Sequence, residues 1–209
     1  MRLLIVEDHQ IVRRGLKELF AEAFPELQVG EAENSRSAVE LLMSQEWDLM
    51  LVDVNIPGRS GLEVIEEAKR LRPGTPSLVL SGYSEEEFAV RSLKLGASGY
   101  LEKGLSSDEI VAAARKALAG GKYVTASLAE KLADSLGGDA PPSPHECLSN
   151  RELQVLRRVA GGATIKEIAA ELDLSEKTVG TYRGRLAKKL SLKSSVELTR
   201  YALKHRLVD

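Results

Sequence analysis

Leu49-Met50-Leu51-Val52-Asp53-Val54-Asn55-Ile56-Pro57-Gly58 is an apolar run that ends on an acid and gives way to a Pro/Gly turn. Its counterpart lies near the start of the sequence, where Leu3-Leu4-Ile5-Val6 ends on Glu7-Asp8. Short continuous apolar runs bounded by turn signals read as strands covered on both faces, as in a parallel sheet. Further runs at Leu27 to Gly30, Ser77 to Leu80 and Gly99 to Leu101 extend the set along the first 120 residues. Longer amphipathic segments fill the gaps. Their inward stripes include Val39-Leu42-Met43 and Val64-Ile65-Ala68-Leu71, and capping boxes at Ser84/Glu87 and Ser106/Glu109 mark helix starts.

Five βα units with right-handed crossovers predict an α/β fold, a flavodoxin-like doubly wound five-stranded parallel sheet. In such a sheet ligands bind outside the carboxyl ends of the strands where strand order reverses, between strands 1 and 3. Those are the strands that end in Glu7-Asp8 and Asp53. Converging carboxylates repel unless a cation neutralises them, which points to a hard divalent metal held by carboxylates and a carbonyl. The same end of the sheet receives Asn55, Ser81, Tyr100 and Lys103. A carboxylate that can attack phosphorus, a divalent cation and a lysine suit phosphoryl transfer. The turn Glu7-Asp8-His9-Gln10 has neither a Gly-rich dinucleotide loop nor a P-loop lysine, so a bound nucleotide is disfavoured.

A chain of 209 residues with 43% hydrophobic and 29% charged residues suits two globular domains. No apolar run approaches the ~18 residues of a membrane span, and Glu7-Asp8 follow the start too soon for a signal-peptide core. A single Cys147 permits no intrachain disulfide and reads as an incidental thiol; the expectation is a soluble cytoplasmic protein with no membrane partner. The net charge of −2 conceals an asymmetry. Residues 1–144 carry 16 Lys+Arg against 23 Asp+Glu, net −7, while residues 145–209 carry 13 against 8, net +5. The division falls at Gly137-Gly138-Asp139-Ala140-Pro141-Pro142-Ser143-Pro144, which can neither continue a helix nor pair well in a sheet. The expected organisation is residues 1–120 as the α/β domain, 121–146 as a connector helix (Val124 to Leu136) and flexible linker, and 147–209 as a second domain.

Residues 1–120 resemble a response-regulator receiver domain. The resemblance is carried by Val6-Glu7-Asp8, Leu51-Val52-Asp53-Val54-Asn55-Ile56-Pro57-Gly58, Leu80-Ser81-Gly82 and Gly96-Ala97-Ser98-Gly99-Tyr100-Leu101-Glu102-Lys103. It implies that Asp53 is the phosphoacceptor, fed by a sensor histidine kinase or a small phosphodonor. Glu7, Asp8, Asp53 and the carbonyl of Asn55 would surround Mg²⁺, some through water; Lys103 would bind the phosphoryl group, Ser81 would follow it, and Tyr100 would swing inward behind Ser81. Gly104 follows the lysine where many receivers have proline. Taken singly, Asp8 reads as an N-cap, Asp53 as a turn acid and Lys103 as a surface cation. Their order at the ends of strands 1, 3, 4 and 5 favours the joint reading.

The basic half opens with a capping box at Ser149/Glu152, followed by a second at Thr164/Glu167. Leu153, Leu156, Val159, Ile165, Ile168, Ala169 and Leu172 supply a compact core, and a turn at Leu172-Asp173-Leu174-Ser175 precedes a helix to about Leu190. Lys177 to Lys193 holds six basic residues and no acid, as expected of a second helix that enters a DNA major groove. Leu148-Ser149-x-Arg151-Glu152-x-x-Val155-Leu156, Lys166-Glu167-Ile168-Ala169 and Leu174-Ser175-Glu176-Lys177-Thr178-Val179-Gly180-Thr181-Tyr182 make this half similar to the LuxR-type helix-turn-helix, an all-α four-helix domain. Joined to a receiver, it resembles the NarL/FixJ response regulators. The resemblance implies binding to double-stranded DNA as a homodimer, with a final helix from about Ser194 to His205 as the dimer contact.

Within the recognition helix, Lys177, Thr178, Gly180, Thr181, Arg183, Gly184, Arg185, Lys188 and Lys189 are the candidate DNA-facing positions. Lys177 and Thr181 are assigned to bases, and Arg183, Arg185, Lys188 and Lys189 mostly to phosphates. Gly180 and Gly184, often basic or polar in relatives, remove base-reading side chains and leave part of the selectivity to DNA shape. The functional expectation is a transcription regulator, not an enzyme beyond receiver self-phosphorylation and dephosphorylation. The competing reading is a phosphorylation-independent DNA binder whose receiver is a protein-interaction module. A phosphohydrolase acting on small substrates is disfavoured, because no second acid is placed as a general acid beside Asp53.

Overall fold

The computed structural model describes residues 1–82, 85–137, 144–205 and 207–208, apart from the side chains of residues 85–87, 131, 134–137 and 146. The chain divides into two compact units, Met1–Gly138 and Asp139–Asp209. The first alternates β1 (Arg2–Val6), α1 (Gln10–Ala23), β2 (Gln28–Ala32), α2 (Ser35–Ser44), β3 (Leu49–Asp53), α3 (Gly61–Leu71), β4 (Ser77–Ser81), α4 (Glu85–Lys94), β5 (Gly99–Glu102) and α5 (Ser107–Leu118), and closes with α6 (Ala126–Gly137). Its sheet has the order β2-β1-β3-β4-β5 with every pair parallel. The expected doubly wound sheet is therefore present, with β1 between β2 and β3.

One face of the sheet carries Leu3, Ile5, Leu49, Leu51, Leu78, Leu80 and Leu101, all buried against Leu16 and Phe20 of α1 and Ile110, Ala113, Ala114 and Ala117 of α5. On the other face α2, α3 and α4 lie against β2, β3 and β5. Because Val6 is level with Val52, Glu7 is one residue beyond β1 at the height of Asp53, the last residue of β3. The sheet register alone thus brings the acids together. Val6 is also level with Ala32, so β2 extends two residues beyond the expected Gly30. It is an edge strand whose polar Glu31 ends the apolar run before the strand itself ends.

The capping box at Ser106/Glu109 is formed, and two more appear at Asn34/Ser37 and Ser60/Glu63. Ser84 of the remaining expected box lies outside the described residues, as does most of the Gly137 to Pro144 linker. The connector helix begins later than expected. Tyr123 N donates to Ser98 O at 2.7 Å and Tyr123 bridges to Gly99, which holds this segment extended along the β5 edge. Thr125 then accepts from Leu128 N at 3.1 Å to start α6. With Leu128 fully buried and α6 against α4, this helix belongs to the first unit.

The second unit comprises a 3₁₀ turn (Pro144–Cys147) and α7 (Asn150–Ala160), α8 (Ile165–Glu171), α9 (Glu176–Leu190) and α10 (Ser195–Lys204). Both predicted capping boxes, Ser149/Glu152 and Thr164/Glu167, are made. Leu148, Leu153, Leu156, Ile168, Leu172, Val179, Leu186, Leu190, Leu198 and Leu207 form its interior. Val159 and Ile165 are only half-buried, because they face a groove beside Val196 and Leu203 rather than the centre of the bundle. Between α8 and α9, Asp173 adopts the left-handed conformation at φ 49° and Leu174 N returns to Ala169 O at 2.8 Å, closing the tight turn.

Candidate functional site

At the carboxyl end of the sheet Asp53 is 4% exposed. Its Oδ1 accepts from Asn55 N at 3.2 Å and its Oδ2 from Lys103 Nζ at 2.9 Å. The same ammonium lies 2.8 Å from Glu7 Oε2. Burial, reinforced by the Glu7 charge, pushes the Asp53 carboxyl up to about 6 against the opposing pull of Lys103. Burial works against the Lys103 charge, but Asp53 and Glu7 outweigh it and raise its pKa. Asp8 is also raised, chiefly by burial, with Glu7 adding to the effect.

Ligand atoms of Glu7, Asp8, His9 and Asp53 all lie within 4.8 Å of one another. Glu7 Oε2 and Asp8 Oδ1 are sealed from solvent, the first facing the Lys103 ammonium and the second His9 Nδ1 at 3.0 Å. Three carboxylates converging within ligand distance, with one lysine ammonium between two of them, form a hard, anionic donor set of the kind that binds Mg²⁺ or Ca²⁺. The residues present therefore fit a hard divalent cation.

Gly61, at the start of α3, allows the site to be this compact. Its N donates to Val54 O at 3.0 Å, and a Cβ there would stand 1.9 Å from Asp53 O. Ser81 ends β4 one residue beyond the partner of Asp53, is fully buried, and accepts at its carbonyl from Lys103 N at 2.8 Å. Tyr100, level with Val79 and 1% exposed, lies inside the protein. No cis peptide bond occurs among the described residues, so Lys103–Gly104 is trans.

Two neighbours of the site escaped the sequence reading. His9 Nδ1 is 2.9 Å from Glu7 Oε1 and 3.0 Å from Asp8 Oδ1, and the bond to Glu7 followed by the Asp8 charge raises its pKa. Its position directly after the acid pair was a usable signal. Arg13 donates from Nη1 to Glu7 O at 2.7 Å. A buried arginine within an amphipathic helix gives no such signal, because its acceptors come from other elements.

In the second unit α9 presents Lys177, Gly180, Thr181, Gly184, Arg185, Lys188 and Lys189 to solvent, with Arg183 and Thr178 half-exposed. Ser175 Oγ caps the helix by accepting from Thr178 N at 3.1 Å, and its hydroxyl meets Thr178 Oγ1 at 2.7 Å, so Thr178 is engaged at the helix start. The Thr181 hydroxyl donates to Lys177 O at 3.0 Å, and Arg183 Nη2 to Ser195 Oγ at 2.6 Å. Lys189, expected with its neighbours mostly to contact phosphates, is exposed but also engaged within the unit. Its Nζ pairs with buried Glu152 at 2.7 Å and donates to Cys147 O at 3.1 Å, because α9 packs on the N-terminus of α7 at this level.

Residues 3–115 match the response regulator receiver domain family, and residues 146–202 match the luxR family of bacterial regulatory proteins. The response regulator GacA of Pseudomonas aeruginosa is 35% identical over 210 aligned positions, covering 100% of this chain and 98% of the relative. The response regulator UvrY of Escherichia coli K12 is 33% identical, covering 100% and 96%. Among solved structures, RcsB of Salmonella enterica serovar Typhimurium, bound to promoter rprA in the presence of phosphomimetic BeF3⁻, superposes with a TM-score of 0.61. It is 26% identical and covers 96% of this chain and 97% of its own. With a receiver-type sheet whose acids meet at the β1/β3 reversal and a four-helix unit with a basic third helix, the chain belongs to the NarL/FixJ family of two-component response regulators.

Proposed function

We propose that Asp53 is the phosphoacceptor, that Glu7, Asp8, Asp53 and the Asn55 carbonyl hold Mg²⁺, and that phosphorylation controls DNA binding by α9. The observation that carries this reading is the placement of Asp53, buried at the β1/β3 reversal with Lys103 on one carboxylate oxygen and two further acids within ligand distance. A cation held by these residues would supply positive charge against the phosphoryl oxygens. An Asp53 oxygen attacks phosphorus, and the bond from phosphorus to the donor breaks as the donor leaves with its electron pair. The donor is a phosphohistidine of a sensor kinase or a small acyl phosphate. Lys103 then shifts part of its ion pairing from Asp53 to a phosphoryl oxygen, and Ser81 donates its hydroxyl to another.

For the output, Lys177 and Thr181 contact bases, and Arg183, Arg185 and Lys188 contact phosphates, in a homodimer on adjacent half-sites. Support comes from the exposed surface of α9, whose charges after Glu176 are all positive, and from the relative bound to promoter DNA. The place of action is the cytoplasm; among the described residues no helix is long and apolar enough to cross a membrane.

The test is a DNA titration with and without a small phosphodonor plus Mg²⁺, repeated for Asp53→Asn. The expected result is tighter binding on phosphorylation of the wild type and no response in the variant. Equal affinity in all arms would leave the receiver as a phosphorylation-independent interaction module. Lys177→Ala and Thr181→Ala are expected to relax base preference in a binding-site selection, and unchanged preference would overturn their assignment.

A further inference from the structure

Arg13 of α1 is 6% exposed, although arginine is rarely so buried without partners. Its guanidinium spends three donors. Nη1 donates to Glu7 O at 2.7 Å, Nε to Glu31 Oε2 at 2.9 Å and Nη2 to Glu33 Oε1 at 2.7 Å. Glu31 belongs to β2 and Glu33 follows it, while Lys17, one turn further along α1, pairs with the other oxygen of Glu31. Two cations thus meet two carboxylates. None of these four groups is among the causes that shift Asp8 or Asp53, so the cluster's influence on the site is geometric.

The geometry acts on one peptide. Glu7 N is already bound to Ala32 O at 3.0 Å, and Arg13 fixes Glu7 O, so both backbone polar groups of Glu7 are held. The fixed carbonyl belongs to the peptide that joins Glu7 to Asp8. Both acids therefore project from a backbone tied to α1 and to the β2 edge. We propose that Arg13 is a positioning residue for the metal site, orienting Glu7 and Asp8 without touching the metal or the phosphoryl group; this rests on the assignment of these acids to Mg²⁺.

Arg13→Lys keeps the charge but cannot reproduce a three-way planar fork. Calorimetric titration of the full chain with Mg²⁺ is expected to show about 10-fold weaker binding or worse, the usual cost of losing a group that orients a ligand. Arg14→Lys, on the exposed Arg14–Glu18 pair, serves as the control and is expected to bind as the wild type does. In phosphorylation by a small phosphodonor, Arg13→Lys should need more Mg²⁺ for half-maximal rate and recover the wild-type rate at saturating Mg²⁺. A merely structural role would lower thermal stability without moving that requirement. If Arg13→Lys does not fold, Glu33→Ala removes one anchor from an exposed side chain and is expected to weaken Mg²⁺ in the same direction by less. Folded variants that bind Mg²⁺ as tightly as the wild type overturn the inference. A wild type that takes up no Mg²⁺ overturns the metal assignment, and this inference with it.

Discussion

At Asp53 two opposed effects meet in one carboxyl group. Burial and Glu7 favour the neutral acid, Lys103 favours the anion, and the balance lies at about 6. Since this is above the value in the unfolded chain, the folded state holds a proton longer, and metal-free stability falls as pH rises from about 4 to about 6. Asp53→Asn removes that cost. In chelator, the variant is expected to be more stable than the wild type by roughly 2–3 kcal/mol above pH 6, the gap closing as pH falls toward 4. Denaturant titrations across this range check it; a gap independent of pH would mean that Asp53 ionisation is not its source. A second prediction concerns Gly61, where alanine would meet Asp53 O. Overpacking of this kind costs about 1–3 kcal/mol, read as a lower thermal midpoint with slower phosphorylation. Asp53, Lys103 and the acid pair were legible in the sequence because strand ends announce themselves by hydropathy. The shared ion pair of Lys103 and the fork of Arg13 were not, since each joins residues remote along the chain.

Among the elements, α9 divides its charges between two tasks. Lys188 is exposed, while Lys189 is committed to Glu152. A lysine that neutralises a DNA phosphate contributes about 0.9 to the slope of log affinity against log salt. Lys188→Ala should reduce that slope by about one, whereas Lys189→Ala should change it less and lower the stability of the second unit instead. Equal slopes for the two variants would place Lys189 on DNA after all. Gly180 and Gly184 have open space where a Cβ would stand, so the fold does not require them. Alanine at each should stabilise the helix by about 0.8–1.0 kcal/mol. If the backbone approaches DNA there, the stabilised variants will bind DNA less tightly in the same titration; unchanged affinity removes the glycines from the interface. The helix and its start were readable from Ser175 and the 3.6-residue period. Which lysine folds back was set by α7, an element the helix's own sequence does not describe.

Over the whole molecule, an acidic half of net −7 is tethered to a basic half of net +5. The acidic half repels the DNA polyanion over distances comparable to the screening length. A fragment of residues 139–209 is expected to bind non-specific DNA more tightly than the full chain at low salt, with the two converging near about 0.5 M salt as screening shortens. A gap that persists at high salt would point to a steric rather than an electrostatic origin. Sequence alone determined the alternation of strands and helices, the Pro/Gly break between two halves of opposite charge, and the acids and basic helix on which function rests. These are local signals of period, turn chemistry and composition, written in consecutive residues. Tertiary structure decided that Glu7 stands level with Asp53, that β2 continues to Ala32, that α6 belongs to the first unit, that Arg13 is held inward, and that Lys189 is tied to Glu152. Each of these depends on strand register or on partners brought from distant segments, and no stretch of the chain encodes such a contact by itself.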